Sequence, residues 1–245
     1  MFLGIGESLV EYYYKHCLSC RTIILISRSQ EKLEAVKKRL NSNPDKQLVI
    51  YPCDVADADA MKTILFQIKE TYGQVDILIA NAGISFRQHS LTHTFDRAVR
   101  DTFNINVNGV INSVMPLIEL KSVSQIAIVS SQAAYAPFMS PIYGCTKQCV
   151  LSLGRDLRRL LAKDRIIVNI ISPGPVITPM LTGSAPESVK RGISSIKAAE
   201  IIYDGLRRNQ EEIVFPAFTG VFQYMLSYLP YFIAEPISKY IFQKP

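Results

Sequence analysis

The sequence predicts an α/β fold, in which a doubly wound parallel sheet is covered by helices on both faces. Short segments rich in β-branched residues alternate with longer segments whose apolar residues recur at helical spacing. The short segments are apolar at nearly every position, which is typical of strands buried on both faces of a sheet. With 245 residues and a hydrophobic content of 48%, a single domain can bury a complete core.

The predicted elements follow one another in a regular order. The strands are Thr22–Ile26, Gln47–Tyr51, Val75–Ala80, Gln125–Val129, Arg165–Ile171 and Glu212–Phe215. The helices are Glu7–Tyr14, Gln30–Leu40, Asp57–Tyr72, Phe95–Leu120, Tyr143–Ala162 and Ile196–Asn209. Leucines recur along one face of the helix from Tyr143 and are expected to pack on the sheet. The first helix begins directly at Gly4 and Gly6, so no strand is predicted before it.

Composition and charge exclude several classes of protein. Charged residues make up 20% of the chain, which argues against disorder, and the net charge of +6 is scattered through helix-like segments. A nucleic-acid-binding protein would gather such charges on one face, so no nucleic-acid partner is predicted. An anionic cofactor or an acidic membrane surface accounts for the charge more simply.

The cysteines and the first residues bear on the cellular compartment. The five cysteines are odd in number and widely spaced, which indicates free thiols in a reducing compartment. Cys17 and Cys20 form a CxxC pattern, but no second pair or histidine cluster stands at zinc spacing, so no metal site is predicted. The residues after Met1 lack the pattern of a secretory signal. We therefore expect a cytoplasmic location, in solution or at a membrane surface that faces the cytosol.

Glycines and polar residues collect where the predicted strands end. In a parallel α/β sheet, ligands bind beyond the carboxyl ends of the strands. The residues at these points are Gly4, Gly6, Arg28, Asp54, Asn81–Gly83, Ser130–Ser131 and Pro173–Gly174. Any one of them alone could simply end a strand or cap a helix. Their joint occurrence predicts a binding site at this edge of the sheet.

Tyr143 and Lys147 are the candidate catalytic pair. Residues four apart share one face of a helix, a single turn from each other. A tyrosine near its reference pKa of about 10 is a poor proton donor or acceptor at neutral pH, and an adjacent ammonium favours its phenolate. The pair therefore suits acid–base catalysis. The same spacing also arises by chance in surface helices, so its meaning depends on the motifs around it.

From Gly4 to about Phe215 the sequence resembles the classical short-chain dehydrogenase/reductase family. The residues that carry the resemblance are Gly4-Ile5-Gly6, Asp54-Val55, Asn81-Ala82-Gly83, Asn106, Ser131, Tyr143, Lys147, Pro173, Gly174 and Thr178. The resemblance implies a Rossmann-like fold and NAD(P)-dependent interconversion of a carbonyl and an alcohol. In such enzymes the cofactor supplies the hydride, while the protein orients it and manages one proton.

The resemblance also implies a role for individual residues. Tyr143 would be the general acid and base, and Ser131 would donate a hydrogen bond to the substrate oxygen. Lys147 would hold the nicotinamide ribose and lower the tyrosine pKa, and Asn106 would support a proton relay through water. The residues implied to bind the cofactor are Gly4, Ile5, Gly6, Arg28, Asp54, Val55, Asn81, Ala82, Gly83, Tyr143, Lys147, Pro173, Gly174, Val176 and Thr178.

Arg28 indicates which cofactor is preferred. An acidic residue after the second strand of this fold would bind the ribose 2′-hydroxyl of NAD, whereas a guanidinium suits the 2′-phosphate of NADP. Ser27 and Arg28 stand at this turn without an acidic residue, so NADP is favoured over NAD. A solvated arginine is the alternative. Asp54 would contact the adenine amino group, or it would be a simple turn or N-cap aspartate.

The sequence departs from the family pattern in two places. The loop Gln132–Pro141 is slightly short, so either the loop is truncated or Ser130 shares the role of Ser131. Ser131 is favoured, because the strand ends just before the pair. The family also has a threonine and a glycine on a buried strand before Gly4, which residues 1–3 cannot supply. We expect the sheet to lack this first strand at the N-terminus, through truncation of the chain, the choice of another start site or a variant isoform. If the 245 residues are the true product, cofactor binding and stability should both be weaker.

Residues 1–215 form the predicted cofactor-binding domain, and residues 216–245 form an apolar C-terminal extension. Ile213–Ala234 contains no charged residue and many aromatic ones, and it is about long enough to span a bilayer. Pro216, Gly220 and Pro230 argue against spanning. The alternatives are a helix pair that packs on the domain or lines the substrate entrance, and a segment lying in a membrane interface. Lys239 and Lys244 would suit an anionic lipid surface.

The function predicted is that of an NADP-dependent oxidoreductase that interconverts a ketone and a secondary alcohol on an apolar substrate, such as a lipid. The apolar extension, Ser130-Ser131-Gln132 and Ser27-Arg28-Ser29 show a weaker resemblance to the 3-ketodihydrosphingosine reductase branch. The family resemblance implies a homodimer or homotetramer formed through the helices Phe95–Leu120 and Tyr143–Ala162. The alternative, prompted by the missing first strand, is a non-catalytic nucleotide-binding or scaffold protein.

Overall fold

The computed structural model describes residues 4–40, 43–136 and 140–242, and it contains strands and helices in regular alternation. The strands are β1 Thr22–Ser27, β2 Gln47–Pro52, β3 Val75–Ala80, β4 Val123–Val129, β5 Ile167–Pro173, β6 Val176–Ile177, β7 Ile193–Ser194 and β8 Glu212–Phe215. The helices are α1 Ile5–His16, α2 Gln30–Leu40, α3 Ala58–Tyr72, α4 Phe86–His89, α5 Phe95–Phe103, α6 Gly109–Glu119, α7 Tyr143–Leu161, α8 Pro179–Ser184, α9 Ser195–Arg207, α10 Ala217–Leu226 and α11 Tyr231–Phe242. The strands and helices predicted from periodicity are all present, with bounds that differ by a few residues.

A parallel sheet forms the centre of the molecule, as predicted. The main part has the strand order β3-β4-β5-β8, and β1 pairs with β2 in a separate parallel ribbon. Ile126, Ala127 and Ile128 of β4 are fully buried because helices cover both faces of the sheet. Residues of α3, α6 and α7 pack on one face, and residues of α1 and α9 pack on the other. The fold is therefore doubly wound.

The sheet is divided between β1 and β3. Among the described residues no strand joins the two parts. A cavity of about 680 Å³ lies between the facing edges of β1 and β3, and we call it the slot. Leu9 of α1, Met61 and Leu65 of α3 and Leu117 of α6 also line it, together with residues of the connecting loops. The slot therefore lies where a further strand would complete one continuous sheet.

The predicted helix Phe95–Leu120 is interrupted in its middle. Helices α5 and α6 are joined by a π-helical turn at Asn104–Asn108, which inserts an extra residue into the helical repeat. Periodicity does not reveal such a turn, because the helix continues in nearly the same direction on both sides. The turn carries Asn106 on its buried side.

The C-terminal segment forms the helix pair α10 and α11, one of the alternatives considered from the sequence. None of the helices in the described residues combines the length and the apolar content that crossing a membrane requires. The segment between β5 and α9 consists of β6, α8, a short 3-10 turn and β7. Each of these is too short to produce a periodic signal in the sequence.

Candidate active site

Tyr143 is the first residue of α7, and the chain before it makes an unusually tight turn. Ile142 has φ 63° and ψ −59°, and the N–H of Tyr143 donates to the carbonyl of Pro141 at 2.7 Å. This is a γ-turn with a β-branched residue at positive φ, a conformation that costs about 1–3 kcal/mol. The turn fixes where the phenol enters the site.

Lys147 lies one turn further along α7 and is held against the end of β4. Its side chain is 3% exposed, and Nζ donates a hydrogen bond to the carbonyl of Val129 at 2.8 Å. The hydroxyl of Ser130 donates to the carbonyl of Lys147 at 2.8 Å. These two bonds join α7 to the carboxyl end of β4, so the lysine cannot move independently of the sheet.

Burial shifts the pKa values of both members of the pair toward the neutral forms. It lowers the pKa of Lys147 to about 8 and raises the pKa of Tyr143 to about 12, while a hydrogen bond with Ser131 opposes the shift of the tyrosine. Burial thus dominates the pKa of Tyr143 in the protein alone, and the expected lowering of this pKa by Lys147 stays a prediction. Nζ lies 5.8 Å from the centre of the phenol ring and is directed to the carbonyl of Val129.

Asn106 connects the segment after β3 to helix α7. It is fully buried; its side-chain oxygen accepts from the N–H of Ile84 at 2.7 Å, and its amide nitrogen donates to the carbonyl of Ile84 at 3.0 Å and to the hydroxyl of Thr146 at 3.1 Å. Both amide N–H groups are therefore engaged within the protein, and the side chain holds the turn after β3 against α7. The support of a water relay by Asn106 stays a prediction.

Gly83 brings the end of β3 against this pair of residues. A Cβ atom added at Gly83 would lie 3.3 Å from Oδ1 of Asn106 and 3.5 Å from Nζ of Lys147. A side chain here would therefore crowd both polar groups. The turn after β3, the π-helical turn and α7 meet at this point, which explains a glycine in the Asn81–Gly83 motif.

Ser131, and not Ser130, faces the phenol of Tyr143. The hydroxyl of Ser131 accepts from the N–H of Ala133 at 3.1 Å and donates to the carbonyl of Pro173 at 3.4 Å. Its hydrogen bond with Tyr143 acts on the tyrosine pKa. Ser130 is 2% exposed, and its hydroxyl is hydrogen-bonded to the main chain of α7. The structure thus separates the two serines into one that faces the site and one that supports it.

The glycines at the start of α1 lie against two other predicted cofactor-binding residues. Gly4 has φ 116°, and a Cβ atom on it would lie 2.8 Å from Cγ2 of Thr178. A Cβ atom on Gly6 would lie 2.7 Å from the side-chain nitrogen of Asn81. The two glycines thus let Thr178 and Asn81 pack directly against the main chain at the start of α1. The N-terminus of this 12-residue helix attracts anions. These features fit the pyrophosphate of a dinucleotide.

We call the start of α1, the Asn81–Gly83 turn and the residues that follow β1 and β2 the cradle. The remaining predicted residues either line the cradle or pack around it. The residues that also line the carboxyl end of the slot are Gly6, Arg28, Asp54, Val55, Asn81, Ala82 and Gly83. Ile5 packs in the apolar cluster between α1 and α9, and Val176 pairs with Ile193 in a two-residue strand. Those two residues support the site instead of facing it.

Arg28 and Asp54 form an ion pair at the ends of β1 and β2. Their side chains lie 3.5 Å apart and are 53% and 39% exposed, so the pair contributes little stability. Asp54 also accepts from the N–H of Ala56 at 3.0 Å, as a turn aspartate does. Arg28 is held beside the cradle by a weak contact that a stronger anion can replace.

Gln132 connects the site to the C-terminal helices, a role that sequence reasoning missed. It is 2% exposed; its amide nitrogen donates to the carbonyl of Pro216 at 2.7 Å, and its oxygen accepts from the hydroxyl of Thr219 at 2.8 Å. The only signal in the sequence is its position directly after Ser131. Helix α10 is thereby fixed next to the loop that carries Ser131. Within the described residues no group of His, Cys, Asp and Glu side chains could hold a metal ion.

Comparisons with known proteins agree with this geometry. The family model described as short chain dehydrogenase matches residues 2–188. A Drosophila melanogaster protein named dehydrogenase/reductase SDR family protein 7-like is 29% identical over 243 residues, which cover 92% of this chain and 73% of that protein.

Two solved structures share the fold. A short-chain dehydrogenase from Sphingobium yanoikuyae in complex with NADPH has a TM-score of 0.76 at 19% identity, covering 94% of this chain and 93% of its own. A short-chain dehydrogenase/reductase from Burkholderia phymatum in complex with NAD has a TM-score of 0.74 at 18% identity, covering 89% and 88%. Since the family model matches well over half of the sequence, the chain belongs to the short-chain dehydrogenase family of NAD(P)-dependent oxidoreductases and has its Rossmann-like fold.

Proposed function

We propose that this protein interconverts a ketone and a secondary alcohol, with Tyr143 as the group that transfers the proton. The proposal rests on one observation: Tyr143, Ser131 and Lys147 meet beside the dinucleotide cradle at the carboxyl edge of the sheet. The bound cofactor would supply the hydride. The phenol of Tyr143 would give its proton to the developing alkoxide, and Ser131 would hold the substrate oxygen by a hydrogen bond.

Lys147 would complete the site when the dinucleotide is present. The ammonium has one hydrogen-bond acceptor in the structure, the carbonyl of Val129, and can donate further hydrogen bonds. The hydroxyl groups of the nicotinamide ribose would accept them. Those bonds would favour the charged lysine and, through it, the phenolate of Tyr143, opposing the effect of burial. Asn106 would act by holding α7 and the Gly83 turn together.

The preference for NADP over NAD is also a proposal. Relatives of this fold bind either cofactor, as the two solved structures show. Arg28 supports NADP here, because its guanidinium stands at the end of β1 and is restrained only by a half-exposed ion pair with Asp54. A 2′-phosphate would offer it a stronger, bidentate partner.

An apolar substrate is favoured by the surface beside the site. Tyr224 of α10 packs edge-on against Tyr135 at 5.8 Å, and Tyr135 directly follows the turn that begins at Gln132. Phe218, Met225 and other apolar side chains of α10 and α11 are exposed on the same helix pair. Contact of this surface with a membrane stays a prediction, which co-sedimentation with anionic vesicles would test; protein that remains in the supernatant would contradict it.

Assembly into a homodimer or homotetramer also stays a prediction. Helices α5 and α7 expose Phe95, Phe103 and Leu160, which supports an interface along those helices. The alternative function, a nucleotide-binding or scaffold protein without catalysis, stays a prediction. Such a protein would bind a dinucleotide at the cradle but would not convert a substrate.

The role of Tyr143 is tested by Tyr143→Phe, which removes only the hydroxyl. We expect turnover with NADPH and an apolar ketone to fall by about 10²- to 10⁴-fold, because the proton donor is lost, while NADPH affinity stays within a factor of about two. Steady-state kinetics and NADPH fluorescence measure the two effects. Tyr12→Phe, on α1, is the matched control and should leave both unchanged. Undiminished turnover in Tyr143→Phe would overturn the assignment.

The role of Arg28 is tested by Arg28→Asp. We expect the ratio of kcat/KM for NADPH to that for NADH to fall by about tenfold or more, because a charge-assisted pair to the 2′-phosphate is replaced by repulsion. Arg21→Asp makes the same change of charge at the opposite end of β1 and serves as the control. A ratio that falls equally in both variants would show that the effect is general electrostatics.

The burial of Lys147 predicts how stability depends on pH. Its pKa is about 8 in the folded protein and near 10.5 when exposed, so between these values the unfolded chain binds more protons and stability rises with pH. Below about pH 8 the lysine is charged in both the folded and the unfolded protein, so the folded protein carries the whole free-energy cost of burying that charge. Lys147→Met should therefore unfold less readily than the wild type at pH 7, by on the order of 2 kcal/mol, with a smaller difference at pH 9.5.

Urea denaturation of the cofactor-free protein at both pH values measures this difference. Lys163→Met, at an exposed position just after α7, is the control and should show no pH-dependent gain. The same Lys147→Met protein should have lost its turnover. A gain in stability that is equal at pH 7 and pH 9.5 would contradict the account of the buried ammonium.

A further inference from the structure

Two cysteines that the proposed function does not use lie at the two ends of a tight turn after α1. The helix ends at His16, and the N–H of Cys20 donates to the carbonyl of Cys17 at 3.3 Å. A hydrogen bond between the first and fourth residues makes this a β-turn, whose end Cα atoms lie within about 7 Å of each other. A disulfide joins residues whose Cα atoms are about 4.4–6.8 Å apart. The backbone of this segment, which we call the CxxC turn, therefore holds the two cysteines close to the separation that a disulfide needs.

The two sulfur atoms of the CxxC turn have different hydrogen-bond environments. Sγ of Cys17 lies 3.5 Å from the hydroxyl oxygen of Ser19, and hydrogen bonds with the hydroxyl of Tyr203 and the main chain of Cys20 also act on it. Sγ of Cys20 instead donates to the carbonyl of Thr22 at 3.8 Å. The surroundings of Cys17 thus favour a thiolate, which accepts hydrogen bonds, whereas those of Cys20 favour a thiol, which donates one.

The pKa values of the two thiols differ in the same direction. Burial raises the pKa of the Cys17 thiol, but hydrogen bonds, chiefly with Ser19 and Cys20, outweigh burial and leave this pKa below its ordinary value. Burial raises the pKa of the Cys20 thiol, and the nearby charge of Cys17 adds to that shift. Because the thiolate is the reactive form, Cys17 is the better nucleophile of the two at neutral pH, and Cys20 keeps its proton.

Lys46 offsets the negative end of α1 next to the CxxC turn. The carbonyl end of a helix carries partial negative charge and disfavours an anion nearby. The ammonium of Lys46, a residue that is 8% exposed, donates to the carbonyls of Tyr14 and Cys17 at 2.6 and 2.7 Å. These bonds place a positive charge at the last carbonyls of the helix, so a thiolate at Cys17 is not opposed by the helix end.

A small molecule can reach the CxxC turn from solvent. Leu18 is 86% exposed and Ser19 is also exposed, while Cys17 and Cys20 are each partly exposed. Cys53 is buried and has no such access. A CxxC pattern beside alternating strands and helices is typical of cysteine pairs with redox chemistry.

We propose that Cys17 and Cys20 form a thiol–disulfide exchange site whose substrate is a low-molecular-weight disulfide of the glutathione class. The thiolate of Cys17 attacks one sulfur of the small disulfide, so that a mixed disulfide forms and one small thiolate leaves. Cys20 then gives its proton to solvent and attacks the sulfur of Cys17, which closes the protein disulfide and releases the second small thiolate. Two protein sulfur atoms are oxidised, and one small disulfide is reduced to two thiolates. An excess of the small thiol reverses the same steps.

The first test incubates the unmodified, NADPH-free protein with reduced and oxidised glutathione in different ratios. The remaining thiols are then alkylated, and mass spectrometry of the digested protein shows which of the five cysteines are joined. We expect a disulfide between Cys17 and Cys20 that excess reduced glutathione removes. Cys145 and Cys149, which are exposed one turn apart on α7, are the internal control and should form no such bond. If Cys17 and Cys20 stay reduced at ratios that modify Cys145 and Cys149, the proposal is wrong.

Two single variants separate the attacking cysteine from the resolving one. Cys20→Ser should accumulate glutathione at Cys17, because no second thiol completes the exchange. Cys17→Ser should take up glutathione at Cys20 at least about tenfold more slowly, because Cys20 is mainly a thiol at neutral pH. Equal rates in the two variants, or faster uptake by Cys17→Ser, would contradict the proposed roles.

Ser19→Ala tests the hydrogen bonds that favour the thiolate of Cys17. In the Cys20→Ser background this change should slow the uptake of glutathione by about threefold or more, because one donor to the charged sulfur is lost. Leu18→Ala alters the neighbouring exposed residue of the same turn and should leave the rate unchanged. An equal slowing by both changes would show a general effect on the turn and would contradict the role given to Ser19. None of these measurements needs the cofactor or a ketone, so their outcome and that of the tests of the proposed function are independent.

Discussion

The buried hydrogen bond between the ammonium of Lys147 and the carbonyl of Val129 is the contact on which the candidate site depends. It joins the first turn of α7 to the carboxyl end of β4 at 2.8 Å. Because the lysine cannot leave this position without breaking the bond, the phenol of Tyr143 one turn earlier is fixed as well. Burial disfavours the charged form of Lys147, and a titratable group with such a perturbed pKa is typical of functional sites. Hydroxyl groups of a ligand next to the ammonium would accept hydrogen bonds from it and favour its charged form.

Most of the polar side chains around this bond are hydrogen-bonded to other groups of the protein. The hydroxyl of Ser130 is hydrogen-bonded to the carbonyl of Lys147, and the side-chain amide of Asn106 is hydrogen-bonded to the hydroxyl of Thr146. Ser131 and Tyr143 face each other in the cleft. The strained turn at Ile142 directly precedes Tyr143, the proposed proton donor. Among the described residues, the hydroxyl groups of Ser131 and Tyr143 are the ones proposed for chemistry.

Much of the fold could be predicted from the sequence, because strands and helices of ordinary length carry a clear periodicity. The pairing of Tyr143 with Lys147 could also be predicted, since four residues span one helical turn. The π-helical turn at Asn106 could not be predicted, because it is stabilised by tertiary contacts with Ile84 and Thr146. The bridge from Gln132 to Pro216 connects residues far apart in sequence. The direction of the Tyr143 pKa shift depends on burial, and helical spacing alone predicted the opposite sign.

The divided sheet sets the main question for function, because the cradle of the dinucleotide lies at the end of the slot. One measurement tests whether this chain holds its cofactor against Tyr143: titration of NADPH with the protein, followed by the fluorescence of the nicotinamide. The account predicts saturable binding of one NADPH per chain, weakened by added salt because the phosphates contribute. A signal that never saturates, or that is independent of the protein concentration, would contradict the assignment of the cradle.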